Sequence, residues 1–222
     1  HDTIPLGHKK ITVHMVFDVK MFTLTRKARL VAGGHLTDPP SDTTYSSVVS
    51  RESVRIAFLA AALNDLDVLS ADVQNAYINA TTKEKVYIIA GTEFGSNAGR
   101  PAKIVRALYG LKSSGARWRD HLAAILRAIG FSSSKADPDV WMRRAVGKND
   151  LPLWEYILCY VDDLLVFSLR PQEILSEISK SVHLKADSIK IPDTYLGAIV
   201  KQFTIHDEPS GSDIRCWGLS AD

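Results

Sequence analysis

The chain has 222 residues, 45% apolar and 23% charged, with a net charge of +2 and a pI near 8.5. This is ordinary globular composition with a sizeable core in one large domain or two small ones, and it excludes a whole-chain basic field as the means of holding nucleic acid. Two cysteines, Cys159 and Cys216, exclude a disulfide framework and match no zinc spacing, and no apolar run reaches the roughly 18 residues needed to cross a membrane.

Residues 11–33 alternate as strands do, with "ITVHMVFDVKMF" and "RKARLVAGG" as two β-rich pieces around a polar turn. A polar loop, "HLTDPPSDTTYS", follows. From Ser50 a helix of about 14 residues is predicted, with Val54, Ala57, Phe58 and Ala61 on one face. "LDVLSADV" (66–73) and "KVYIIA" (85–90) read as strands, and "GTEFGSNAGRP" as a loop. "GARWRDHLAAILRAIG" (115–130) is helical: Trp118, Leu122, Ile125 and Ile129 form a stripe, and Gly130 stands where a capping glycine belongs. "DVWMRR" (139–144) reads as a strand. "LWEYILCYV" and "LLVFSL" form a hairpin with Asp162 and Asp163 at its bend. "PQEILSEISKSV" is a helix opened by Pro171, with Ile174, Leu175 and Ile178 inward, and "TYLGAIVKQF" closes as a strand.

Without its insertions, the order from residue 66 is β–α–β–β–α–β. The expected class is α+β: a split-βαβ (ferredoxin-like) antiparallel sheet with two helices on one face and the other face uncovered. Its first and third strands should lie side by side at the centre. Asp72, at the end of the first, would then converge with Asp162 and Asp163, 90 and 91 positions further on, at the hairpin after the third. Crowded carboxylates raise one another's pKa unless a cation compensates, and all-oxygen ligands favour Mg²⁺ or Mn²⁺ over zinc. The other reading of Asp-Asp is a hairpin tip, since aspartate suits turns.

Five ordered stretches carry a resemblance: "KARLVAGG" (27–34), "DVQNAYINA" (72–80), "RALYGLKSSGARW" (106–118), "GFSSSKADPDVW" (130–141) and "YVDDLLVFS" (160–168). Together they resemble the reverse transcriptases of copia-type LTR retrotransposons, over roughly residues 11–200. The resemblance implies a polymerase right hand, with fingers at 1–65 and 86–112 and palm at 66–85 and 113–222, and with thumb and RNase H absent from this chain. Asp72, Asp162 and Asp163 would be catalytic carboxylates holding two Mg²⁺ ions about 3.5–4 Å apart, with Mn²⁺ as a substitute and the Val73 carbonyl as a further ligand. Asn75 and Ala76 would offer N–H groups to a deoxynucleoside triphosphate. Tyr77 would exclude a 2′-hydroxyl or else pack in the core. Lys20, Lys27 and Arg29 would grip phosphates or form a solvated strand face, and Tyr109 and Gly110 would shape the nucleotide pocket. Tyr160 and Val161 would pack near the primer end. Tyr195, Leu196 and Gly197 resemble the primer-gripping hairpin, with sheet packing the alternative for Tyr195.

The implied function is RNA-directed DNA synthesis: deoxynucleotides added to a primer 3′-end on an RNA or DNA template. The start at His1 is read as that of a segment from a longer polyprotein that also carries protease and integrase. Few cysteines and the resemblance together imply an intracellular place, in cytoplasmic virus-like particles and the nucleus, with no membrane partner. The rival readings are a catalytically inactive or host-adopted fragment that binds nucleic acid or protein, and a split-βαβ RNA-binding module. The second would display aromatics on its open sheet face, where this chain has acids at its strand ends.

Overall fold

The structure, a computed structural model, describes residues 4, 6–21, 24–37, 40, 43–147, 150–209 and 211–221. Phe22, at the end of the first expected strand, and residues 38–39 and 41–42 of the polar loop lie outside the described residues. The elements begin with β1 (Lys9–Lys10), β2 (Val13–Lys20), β3 (Thr25–Ala32), α1 (Arg51–Leu63), β4 (Asp67–Asp72) and α2 (Ala76–Asn79). Next come β5 (Val86–Ile89), β6 (Pro101–Lys103), α3 (Ser114–Ala128), β7 (Ser132–Ser133) and β8 (Val140–Val146). Last are β9 (Pro152–Tyr160), β10 (Asp163–Ser168), α4 (Pro171–Ser179), β11 (Thr194–Tyr195), β12 (Ala198–Asp207) and β13 (Ser212–Ala221). The class is α+β with mainly antiparallel sheets. Among the described residues, no helix is long and apolar enough to cross a membrane.

The chain forms two compact units, one of residues 1–46 and 75–122, the other of residues 47–74 and 123–222. In the first, β2 and β3 pair as the expected hairpin, from Val13↔Ala32 to Lys20↔Thr25. A second sheet has the order β1-β5-β6, its β6 starting at Pro101, the last residue of the stretch that reads as loop. Ile11, Ala32, Val86, Ile88 and Leu111 form this unit's core. Gly110 and Gly34 are required where its backbones meet. A Cβ on Gly110, which has φ +90°, would strike the Ala32 carbonyl, and one on Gly34 would strike the Gly110 carbonyl.

The second unit is built on an antiparallel sheet of order β4-β10-β9-β8-β7. Helix α1 begins where expected: Ser50 Oγ accepts the Ser53 N–H at 3.1 Å, and Asp137 Oδ2 accepts the Ser50 N–H at 3.0 Å. Its buried face is Val54, Ala57, Phe58 and Ala61. These pack against Val68, Leu158, Leu165 and Phe167 of the sheet and against Tyr195 and Val200, with Phe58 edge-on to Phe167 at 5.2 Å. Leu158, Leu165 and Phe167 are 0% exposed. Each contributes about 1.5–3 kcal/mol relative to an exposed side chain. Helix α4 packs on β4 and β10, with Ile174, Leu175 and Ile178 buried as the spacing predicts.

Three expectations are corrected here. The strand beside β4 is β10, which begins with the second acid of the pair, and β4 lies at the sheet's edge rather than at its centre. The face expected to be open is covered by α1 and by residues of β11 and β12. The closing strand is broken at Leu196 (φ +49°) and Gly197 (φ +78°), the two positive φ values that a tight two-residue hairpin turn needs. It therefore folds as β11 and β12, pairs with β13 in a separate sheet of order β11-β12-β13, and does not close the expected split-βαβ sheet.

Candidate active site

The β9–β10 hairpin has a two-residue turn, Val161 and Asp162, because Tyr160 pairs with Asp163. Val161 takes up φ +55° to make it. Asp163 is thus the first residue of β10 and not part of the bend. In register it faces Asp72, the last residue of β4. Cross-strand partners share a sheet face, so the two carboxylates meet at one end of the strand pair. The Asp162 carbonyl accepts the Val73 N–H at 2.8 Å and ties the turn to the end of β4. Behind the turn Leu164, Leu165, Val166 and Phe167 are all 0% exposed, so the acids stand on a rigid base.

Asp72 is held from its other side by residues 183–190. Its N–H donates to Ser188 Oγ at 2.8 Å, its carbonyl accepts the Lys185 N–H at 3.0 Å, and Gln74 N–H donates to the His183 carbonyl at 2.9 Å. Its Oδ2 accepts from Lys185 Nζ at 2.6 Å, whereas Oδ1 is buried and receives no hydrogen bond from the described residues. The Asp163 carboxyl is pushed up to about 6 by loss of solvation, then by the charges of Asp162 and Asp72, with Lys185 opposing.

Among the described residues, no three His, Cys, Asp or Glu side chains are grouped as a ready ligand set. The fit to a hard divalent cation rests instead on the buried, unbonded Asp72 Oδ1, on the facing Asp163, and on a donor set made only of oxygen.

The remaining site residues from sequence fall into two groups. In the first unit, Lys20, Lys27 and Arg29 lie on one face of the β2–β3 hairpin, since Lys20 pairs with Thr25, which shares that face with Lys27 and Arg29. The Arg29 guanidinium lies over the Tyr109 ring at 5.8 Å, and Tyr109 meets Tyr77 at 4.8 Å between ring centres. Asn75 adopts φ +51° and leads into α2, whose first residue Ala76 is buried. Gly110 is the tight contact described above. In the second unit, Tyr160 is 36% exposed and Tyr195 is 7% exposed. Tyr195 belongs to the core cluster, and burial pushes its phenol far above the ordinary value. Leu196 and Gly197 form the β11–β12 turn and, with Arg51 and Arg55, line a pocket of about 310 Å³.

Sequence reasoning missed Lys185 and Ser188. Nothing in their local pattern marks them; they reach Asp72 only because residues 183–190 run along the edge of β4.

Residues 2–208 match the family described as "Reverse transcriptase (RNA-dependent DNA polymerase)". The chain is 34% identical over 145 residues to the "Retrovirus-related Pol polyprotein from transposon RE1" of Arabidopsis thaliana, which covers 63% of this chain and 10% of that protein. It is 28% identical over 193 residues to the "Retrovirus-related Pol polyprotein from transposon TNT 1-94" of Nicotiana tabacum, covering 82% of this chain and 14% of that protein. A third relative, the "Truncated transposon Ty1-A Gag-Pol polyprotein" of Saccharomyces cerevisiae, is 28% identical over 172 residues, covering 76% and 14%. The chain therefore spans a small fraction of the length of these relatives.

Proposed function

The chain belongs to the reverse transcriptase (RNA-dependent DNA polymerase) family, in its copia-type retrotransposon branch, and from that premise we propose that it adds deoxynucleotides to a primer 3′-end on an RNA or DNA template. The observation that carries this reading is the facing pair Asp72 and Asp163, with a buried Asp72 oxygen that receives no hydrogen bond from the described residues and the Asp163 carboxyl raised by burial and then by its acidic neighbours. Asp72, Asp162 and Asp163, with the Val73 carbonyl, would hold two Mg²⁺ ions. Bound there, the ions supply activation of the attacking hydroxyl and stabilisation of charge on the leaving pyrophosphate.

The protein's own part is placement. Phosphoryl transfer depends mostly on positioning and charge stabilisation, and the fully buried strand behind the turn gives Asp163 a fixed position. Asn75 and Ala76 would donate backbone N–H groups to the triphosphate, and Lys20, Lys27 and Arg29 would neutralise its charge. Tyr77, its ring against Tyr109, would lie by the sugar and leave no room for a 2′-hydroxyl. Template, primer and nucleotide are the proposed partners, together with the rest of a Pol polyprotein in cytoplasmic particles.

Primer extension on RNA and DNA templates, with Mg²⁺ or Mn²⁺ and with chelator, tests the function. Extension that depends on the metal supports it. A folded chain that extends no primer with either metal contradicts it.

A further inference from the structure

Lys185 has no role in the reading above, yet its ammonium makes a close contact with Asp72. Its backbone is fixed independently of its side chain: Leu184 bridges to Val73, the Lys185 N–H donates to the Asp72 carbonyl at 3.0 Å, and Ser188 Oγ accepts the Asp72 N–H at 2.8 Å. From this anchor Nζ reaches Asp72 Oδ2 at 2.6 Å. The pair is one-sided, because the second carboxylate oxygen is buried and takes no hydrogen bond from the described residues. The side chains are 38% and 27% exposed, so the ammonium can withdraw into water without moving the backbone that bears it.

We propose that Lys185 is the resting counter-ion of Asp72, an ammonium that balances the carboxylate until a divalent cation displaces it. The inference rests on the metal reading under the proposed function. A divalent cation at Asp72 Oδ1 and the Lys185 ammonium at Oδ2 repel each other across one carboxylate, so metal binding either drives the ammonium off or proceeds at lower affinity while it stays. A part-exposed ion pair is weak, which suits a contact that has to be given up. The flexible four-carbon stem leaves the freed ammonium near the acids, still able to meet a negative group of an incoming ligand.

The test uses the full chain and Mn²⁺ alone, with free Mn²⁺ counted by electron spin resonance and thermal unfolding followed in parallel. Lys185→Met, similar in length but uncharged, is expected to bind Mn²⁺ about five-fold tighter than the unmutated chain, a factor in keeping with a part-exposed ion pair. Lys185→Gln serves in its place if the methionine variant does not fold, and Lys185→Arg, which keeps the charge, is expected to stay close to the unmutated affinity. In chelator Lys185→Met lowers Tm, and in an Asp72→Asn background it does not. Equal Mn²⁺ affinity for the neutral variants and the unmutated chain, with binding lost in Asp72→Asn, overturns the inference and leaves the metal reading intact. No Mn²⁺ binding to any of these chains overturns both.

Discussion

Glu155 and Asp72 are acids beside opposite ends of β10, and they are treated in opposite ways. Glu155 is 8% exposed and fully partnered: Ser168 Oγ donates to it at 2.6 Å and Arg143 Nε at 3.0 Å. Arg143 is in turn held by the Ile129 carbonyl at 2.7 Å and lies over the Phe131 ring at 4.6 Å. Asp72 has one oxygen on Lys185 and one buried that receives no hydrogen bond from the described residues, and it faces another acid. A satisfied buried acid holds a structure together, whereas an acid short of positive charge is a candidate for binding one. The two ends of the same strand thus separate scaffold from site.

Substitution should break the two ends differently. Glu155→Ala leaves Ser168 without its acceptor and Arg143 with only Glu177 and the Ile129 carbonyl, and should destabilise the chain by about 2 kcal/mol, as leaving buried polar groups unsatisfied does. Urea denaturation measures this, and a loss no larger than that of an exposed substitution would dissolve the contrast. The first unit poses the same choice between packing and chemistry at Tyr77. Tyr77→Val should raise ribonucleotide use relative to deoxynucleotide use by about 10- to 100-fold, because even a 1 Å misplacement of the reacting group can cost about that much. The ratio of the two kcat/KM values cancels any general loss of folded enzyme. An unchanged ratio would make Tyr77 a packing residue.

The smallest effect concerns pH. Native Asp163 holds its proton up to about 6, above its value in an unfolded chain. Its contribution to stability is therefore full below about pH 4 and is lost as pH rises through about 6. Asp163→Asn removes that loss, so in chelator the variant should gain on the unmutated chain across this window and keep a constant lead above it. Denaturation curves at several pH values would show a flat difference if the acidic cluster were not felt.

The local pattern made some of this legible and hid the rest. The apolar runs around Asp162 and Asp163 announced buried strands, and the spacing of Val54, Ala57, Phe58 and Ala61 marked the face α1 buries. Which strand would lie beside β4 was not readable, because either arm of the hairpin is apolar enough to pair there. The turn at Leu196 and Gly197 is visible through the resemblance to a hairpin but not in the local pattern, because a single glycine in a β-rich run resembles a weak strand position as much as a turn. The strand pattern read through residue 203 did not extend to β13, and so did not show the cover over the sheet. Lys185 was beyond reach for another reason: its partner is 113 residues away, and a lone lysine carries no periodic signal.

The most direct test of the account is the rate of primer extension by Asp72→Asn against the unmutated chain, at matched folded concentration and saturating Mg²⁺. The account predicts a fall of about 1000-fold, as expected when charge stabilisation worth several kcal/mol is removed, in a chain whose cooperative unfolding shows that it is folded. A folded Asp72→Asn chain that extends primer nearly as fast as the unmutated one would contradict it.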